Sequence, residues 1–66
     1  MTYTSLLDLF DAVLSIPDMN RWDAEVIKLG ELIRVYHDAL DNPPEGVVGV
    51  GAVTYAEEVL IEYQQG

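Results

Sequence analysis

The order of apolar and polar positions along the chain predicts three amphipathic helices. The first is predicted over residues 5–15, "SLLDLFDAVLS", with Ser5 and Asp8 as a capping box in which Asp replaces the usual Glu. Leu7 and Leu14 widen its apolar face, and Asp8 and Asp11 point the other way. The apolar face itself follows the i, i+3, i+4, i+7 spacing of a helix and consists of Leu6, Leu9, Phe10 and Val13.

The second helix is predicted over residues 20–41. Its start is assigned to Asn20, with Asp18 as a rival cap. Its apolar residues lie alternately four and three positions apart, the period of a coiled-coil seam, so they form either the spine of an internal core or a seam between chains. These residues are Trp22, Val26, Leu29, Ile33, Tyr36 and Leu40, with Leu32 and Ala39 beside them. Gly30 is expected at the edge of this face, where a missing side chain allows a neighbouring helix to approach.

"DNPPEG" ends the second helix, because two consecutive prolines cannot continue it. The third helix is predicted over residues 54–64, where Thr54 and Glu57 match a capping box. The uncharged stretch 46–53, "GVVGVGAV", lies between the predicted second and third helices. Valine favours extended backbone and glycine interrupts regular strands, so this stretch is expected to be an extended connector. It is either partly buried across the helices or an exposed edge that pairs with a partner. The predicted fold is all-α, one acidic three-helix domain over residues 1–66.

Composition narrows the classes of partner. The 66 residues contain 12 Asp and Glu against 3 Lys and Arg, and no cysteine. The net charge of −9 repels phosphate, so direct binding to nucleic acid or to anionic membranes is disfavoured. The N-terminus lacks the pattern of a secretory signal, and no apolar run reaches the ~20 residues of a membrane span. The expected location is the cytoplasm. A second copy of the chain is one way to complete so small a core.

The residue types needed for catalysis are scarce. Ser5 and Ser15 lie at predicted helix ends, where capping explains them, and the chain has one histidine. His37 and Asp41 are one helical turn apart and could share a metal, but a catalytic zinc site usually has three protein ligands. We therefore expect no enzymatic activity, no catalytic or metal-binding residues and no cofactor.

The acidic residues are expected on the outer sides of the helices, where they either keep the domain soluble or attract a basic protein surface. The partner-binding candidates are Asp23, Glu31, Asp38, Asp41, Glu57, Glu58 and Glu62. Arg34 can pair with Glu31 or Asp38 at helical spacing and neutralise part of this charge. Aliphatic residues outside the main apolar faces form a second candidate interface, namely Ile27, Val50 and Ile61.

The N-terminal residues 1–14, "MTYTSLLDLFDAVL", resemble the opening of the acidic phage anti-restriction proteins that mimic DNA. The shared features are Met1-Thr2-Tyr3, Asp8 and Leu14 on an acidic amphipathic helix. In size, charge and helicity the chain is also similar to small phage-encoded inhibitors, including anti-CRISPR proteins, and to acidic bacteriocin immunity proteins. These resemblances imply stoichiometric blocking of a host or rival protein, in the host cytoplasm for a phage-encoded chain.

Two functions are therefore expected. The first is a non-enzymatic inhibitor or modulator that binds a protein partner with a basic or nucleic-acid-binding surface, with nucleic-acid mimicry as one mechanism. The second is a structural or oligomerisation module, such as a homodimer, that uses its apolar seam and its Gly/Val connector. Affinity for the partner depends on charge in the first function and on apolar contact in the second. Added salt should therefore weaken binding in the first and matter little in the second.

Overall fold

A computed structural model of the chain describes residues 2–18, 20 and 22–66. Three helices make up the fold: α1 Leu6–Leu14, α2 Ala24–Asp41 and α3 Val50–Gln65. No strand occurs among the described residues. The all-α, three-helix class is therefore confirmed. The resemblance to anti-restriction proteins includes Met1, and the predicted second helix includes Arg21; both residues lie outside the described ranges.

α1 begins where the sequence predicts. Ser5 is the N-cap, and its hydroxyl accepts a hydrogen bond from the Asp8 N–H at 3.3 Å. The Asp8 carboxylate reaches back one residue beyond the expected partner: it accepts from the Thr4 N–H at 3.0 Å and from the Thr4 hydroxyl at 2.8 Å. Two groups at the open end of the helix are thus satisfied locally, which fixes the start of α1.

α2 begins later than predicted, and the assignment of its cap to Asn20 or Asp18 was wrong. Asp23 is the N-cap, and its carboxylate accepts from the Glu25 N–H at 2.8 Å. Asn20 instead accepts from the Trp22 N–H at 3.0 Å, which makes a local turn before the helix. Three Asp or Asn residues compete for one cap in this segment, and the one next to the apolar repeat prevails. α2 ends at Asp41, before the two prolines, as predicted.

α3 begins at Val50 and not at Thr54, so residues 50–53 are helical and the extended connector is shorter than predicted. Gly49 is the N-cap, with φ of 61° and ψ of −128°, a conformation that glycine adopts without strain. Thr54 lies inside the helix, where its hydroxyl donates to the Val50 carbonyl at 3.2 Å. Burial of Ala52 favours the earlier start, because it adds one more apolar residue to the packed face of α3.

α2 is the central helix and packs against both α1 and α3. The central cluster of buried residues draws on all three helices: Leu9, Leu29, Leu32, Tyr36, Ala39, Ala56 and Leu60. The predicted spine is confirmed at Leu29 and Tyr36. At its other positions the buried face of α2 is rotated away from the predicted spine. Leu32 and Ala39 are buried there, whereas the predicted Val26, Ile33 and Leu40 are only half-buried. The buried residues of α2 therefore belong to an intramolecular core.

Two expectations about the core were wrong. Trp22 is 78% exposed, because it precedes the N-cap of α2 and lies off the helical repeat. Gly30 is exposed, and a Cβ built on it would meet no heavy atom within 4 Å outside its own helical surroundings. No neighbouring helix uses the space at this glycine, so it has no packing role.

The N-terminal segment is joined to the end of α3 by side-chain to backbone hydrogen bonds. The Tyr3 N–H donates to the Gln64 Oε1 at 2.8 Å, and the Gln64 Nε2 donates to the Tyr3 carbonyl at 2.7 Å. The same Nε2 also reaches the Leu60 carbonyl at 3.0 Å. One amide side chain therefore fixes the segment that precedes α1 against the last turns of α3.

Candidate functional site

The exposed side of α2 carries most of its charge. Residues spaced alternately four and three positions apart lie along this side, which we name the α2 outer face: Ile27, Glu31, Arg34, Asp38 and Asp41. All five are exposed. Three of the predicted partner-binding carboxylates therefore share one surface, with a single cation among them.

The charges on the α2 outer face are mostly unopposed. His37 Nδ1 lies 3.3 Å from the Asp41 carboxylate, one turn along the helix, and both side chains are more than half exposed. Within the described residues, neither Glu31 nor Asp38 lies within ion-pair distance of Arg34. Arg34 therefore does not form the ion pair that was expected to neutralise Glu31 or Asp38. The described residues also contain no group of three or more His, Asp and Glu side chains that could hold a metal ion.

The remaining predicted acidic residues have different surroundings. Asp23 is exposed, but its carboxylate caps α2. Glu58 and Glu62 are exposed one turn apart on α3. Glu57 is half-buried and approaches Tyr36, whose pKa is raised first by burial and then by the negative charge of Glu57. The structure therefore separates Glu57 from the outer side of α3, where the sequence had placed all three glutamates together.

Glu31 takes part in a contact that links two helices. The Tyr63 hydroxyl of α3 donates a hydrogen bond to the Glu31 carboxylate of α2. This pairing depends on how α2 and α3 are aligned, so the spacing within either helix does not predict it. Glu31 contributes to the join between the helices as well as to the acidic surface.

The last turn of every described helix contains a carboxylate and no basic residue. These carboxylates belong to Asp11 in α1, Asp38 and Asp41 in α2, and Glu62 in α3. The C-terminal end of a helix carries partial negative charge, and a cation there is worth about 0.3–1 kcal/mol. Anions at the same end are disfavoured. The chain therefore keeps four carboxylates at positions that weaken its own helices.

The three aliphatic candidates do not form one patch. Ile27 is 53% exposed on the α2 outer face, Val50 is 83% exposed at the start of α3, and Ile61 is half-buried. Val50 and Ile61 lie on the same side of α3 but about 16 Å apart along its axis, since a helix rises 1.5 Å per residue. Val48 is also 79% exposed, so the valines of the Gly/Val stretch form a separate exposed apolar tip.

α1 exposes a row of large apolar side chains that the sequence had assigned to the core. Leu7 is 73% exposed, Phe10 48% and Leu14 83%; we name these three residues the α1 stripe. They recur at i, i+3, i+7 along one side of α1. The opposite side packs on the core through Leu9, with Leu6 and Val13 half-buried beside it. Burying a whole Leu or Phe is worth about 1.5–3 kcal/mol, so the stripe leaves roughly 3–6 kcal/mol of apolar burial unused.

The sequence signal that could have predicted the α1 stripe is the width of the apolar face of α1. Six large apolar residues occupy nine helical positions, which is more than one packing neighbour can cover. Asp11 lies next to the stripe, one turn from Leu7 and from Leu14, and is exposed. Asp8 lies further along the same polar edge. Hydrogen bonds from the Thr4 N–H and then from the Thr4 hydroxyl lower the pKa of Asp8 and favour its charged form.

An open cleft of about 540 Å³ lies between α1 and the segment that leads into α2. Its charged lining is entirely acidic among the described residues, and consists of Asp8, Asp11, Asp18, Asp23 and Glu25. Apolar side chains, among them Tyr3 and Ile16, line it as well. A set of carboxylates with two hydroxyls, those of Tyr3 and Ser15, favours cationic groups, and the described lining contains no histidine to act as a base beside a hydroxyl.

The molecule exposes more surface than its mass requires. Its accessible surface is 4850 Å² for 7.4 kDa, against about 4200 Å² expected for a folded monomer of this mass. Its radius of gyration is 12.6 Å, against about 11 Å expected for a compact chain of this length. The elongated shape, 41 × 22 × 19 Å, therefore leaves apolar and acidic side chains uncovered together.

Comparison of the chain with protein-family models, curated proteins and solved structures gives no match. Among the described residues, no helix combines the length and the apolar composition needed to cross a bilayer.

Proposed function

We propose that the chain is a non-enzymatic protein that binds a macromolecular partner through its acidic helical surfaces and thereby inhibits or modulates that partner. The observation that carries this proposal is that the last turns of α1, α2 and α3 all contain carboxylates and no basic residue. Acidic residues elsewhere would keep the domain equally soluble without opposing the helix dipoles. A function in binding accounts for charges that the fold itself does not use.

The chemistry of the partner follows from the charge. A net charge of −9 attracts basic surfaces over long range and speeds encounter with them. Surfaces that normally hold nucleic acid are basic, and the resemblance of residues 1–14 to DNA-mimicking anti-restriction proteins points to the same class of partner. A phage-type counter-defence protein acting in a host cytoplasm is the narrower form of the proposal.

The second candidate function is an assembly module in which apolar contact carries the affinity. One observation favours it, namely the exposed tip at Val48 and Val50, where the shortened Gly/Val connector meets the start of α3. The tip is small, and Ile27 is the one large apolar residue that α2 exposes. This candidate therefore ranks second.

Capture of partners from a cell lysate at low and at high salt separates the two functions. If the acidic surfaces carry the affinity, capture weakens steeply with salt, because exposed charges are screened beyond about 8 Å at physiological ionic strength. The decisive variant combines Asp38→Lys, Asp41→Lys and Glu62→Lys. These substitutions replace anions with cations at helix C-termini, so the variant is expected to keep or gain stability while it loses capture.

Asp23 and Glu31 are left unchanged in this variant, because one caps α2 and the other accepts from Tyr63. A matched variant with Asp38→Asn, Asp41→Asn and Glu62→Gln removes charge without reversing it, and is expected to give intermediate capture. Equal capture by the wild type and the reversed variant would show that the acidic surfaces do not bind. Loss of capture with Val48→Asp instead would favour the assembly module.

A further inference from the structure

We infer that the α1 stripe is a docking surface for a basic amphipathic helix of the partner protein. The inference rests on the proposed function and adds to it the kind of segment that the partner presents. An amphipathic helix bound to an apolar surface is recognised through anchors at i, i+3 or i+4 and i+7. Leu7, Phe10 and Leu14 offer matching spacing, with exposures of 73%, 48% and 83%.

The charges beside the stripe select a basic occupant. Asp11 is exposed and lies one helical turn from both Leu7 and Leu14. Asp8 follows on the same polar edge and is held by two hydrogen bonds from Thr4, at 3.0 and 2.8 Å. A helix whose apolar anchors cover the stripe would place its flanking residues next to these carboxylates. Lys or Arg at those positions would be paired, whereas Asp or Glu would be repelled.

A second copy of the chain fits this surface less well. Each copy carries a net charge of −9, and pairing two stripes would bring Asp8 and Asp11 of both copies to one interface. α1 has nine residues and is therefore about 13 Å long. Three side chains on so short a helix fall far below the roughly 800 Å² per partner that a stable interface buries. The small area means that partner contacts elsewhere must add to the affinity, and the charge favours a basic helix over a second copy.

The test uses synthetic peptides of about 14 residues and the full-length protein labelled for NMR. One peptide has Leu at i, i+3, i+4 and i+7 and Lys elsewhere. A second has the same composition in an order that scatters the Leu around the helix, and a third replaces Lys by Glu. The first peptide is expected to shift the amide signals of α1, to bind more tightly than the other two and to weaken with salt. Equal binding of the scrambled peptide, or shifts confined to α2 and α3, would overturn the inference.

Variants locate the contact. Leu14→Asp is expected to weaken the Leu/Lys peptide by about 30-fold or more, as for a central contact residue. Thr54→Asp is the control, because Thr54 is exposed on α3, outside both the α1 stripe and the apolar tip, and the substitution adds the same charge. It should change the affinity by less than about 3-fold, as expected for a residue outside the contact. Leu7→Asp is a second variant of the stripe in the same binding measurement. It places an acid in the first turn of α1, where the helix dipole favours negative charge, so α1 is expected to stay folded.

Other results have defined meanings. Equal binding by Leu14→Asp and the wild type would overturn the inference, and so would a wild-type dimer in sedimentation that Leu14→Asp dissolves, because a second copy would then occupy the stripe. If charge reversal in α2 and α3 abolishes partner capture while Leu14→Asp leaves it intact, the inference fails and the proposed function stands. If Leu14→Asp abolishes capture and charge reversal does not, the proposed function fails.

Discussion

Leu9 is the residue through which α1 is held to the rest of the fold, and its truncation gives the sharpest test of the packing. It is fully buried and is the only buried residue of α1. Leu→Ala at buried sites costs about 2.7–5 kcal/mol, and a chain of this length is expected to have only about 3–10 kcal/mol of total stability. Leu9→Ala should therefore remove at least about a quarter of the stability, and up to all of it, or release α1 from α2.

Leu7→Ala is the matched control, because it makes the same substitution on the same helix at a side chain that is 73% exposed. Surface substitutions of this kind usually change stability by less than about 0.5 kcal/mol. Urea unfolding followed by far-UV circular dichroism measures both variants. Equal losses at the two positions, or a larger loss at Leu7, would mean that α1 packs through the other side, and the α1 stripe would then be core.

Three further outcomes test local features. Gly30→Ala should raise the free energy of unfolding by about 0.8–1 kcal/mol, because the site is helical, exposed and open around the new methyl group. A lower free energy of unfolding would mean that the methyl group meets a neighbouring atom. Gly49→Ala should cost roughly 1–3 kcal/mol in the same assay, because a φ of 61° with a ψ of −128° strains any side chain; no cost would mean that the turn relaxes. The pKa of Tyr36 is raised above 10.0 in the fold, so its contribution to stability is present below that pH and lost as pH rises through the folded pKa. Ultraviolet titration should therefore show a late-ionising tyrosine that Tyr36→Phe removes and that Glu57→Gln shifts to lower pH; an unchanged titration in either variant would contradict the assignment.

Local chemistry made parts of the fold predictable from the sequence. The Ser5 cap and the two prolines after Asn42 each act within one turn of the chain, so the start of α1 and the end of α2 follow from nearby residues alone. The start of α2 was missed because several neighbouring side chains can cap a helix, and their hydrogen bonds decide between them. The start of α3 was missed because valine favours strands in isolation, whereas burial of Ala52 favours the helix.

The candidate surfaces depended on packing that one helix cannot reveal. The spacing predicted correctly that Glu31, Asp38 and Asp41 share an exposed side of α2. It could not show which apolar residues of α1 meet a neighbour, because six of them compete for a surface that α2 only partly covers. The contact between Glu31 and Tyr63 joins two helices and depends on their alignment. Asp38, Asp41 and Glu62 already fall in the last turns of the predicted helices, whereas Asp11 does so only with the observed end of α1 at Leu14.

We propose above all that the carboxylates in the last turn of α2, Asp38 and Asp41, serve binding at some cost to the fold. The most direct measurement is a paired one on Asp38→Lys/Asp41→Lys: its melting temperature, and its affinity for a partner captured by the wild type. Opposite changes are expected: a melting temperature that is kept or raised, because cations suit a helix C-terminus, and an affinity that falls and depends less on salt. An unchanged affinity, or a melting temperature and an affinity that fall together, would contradict this proposal.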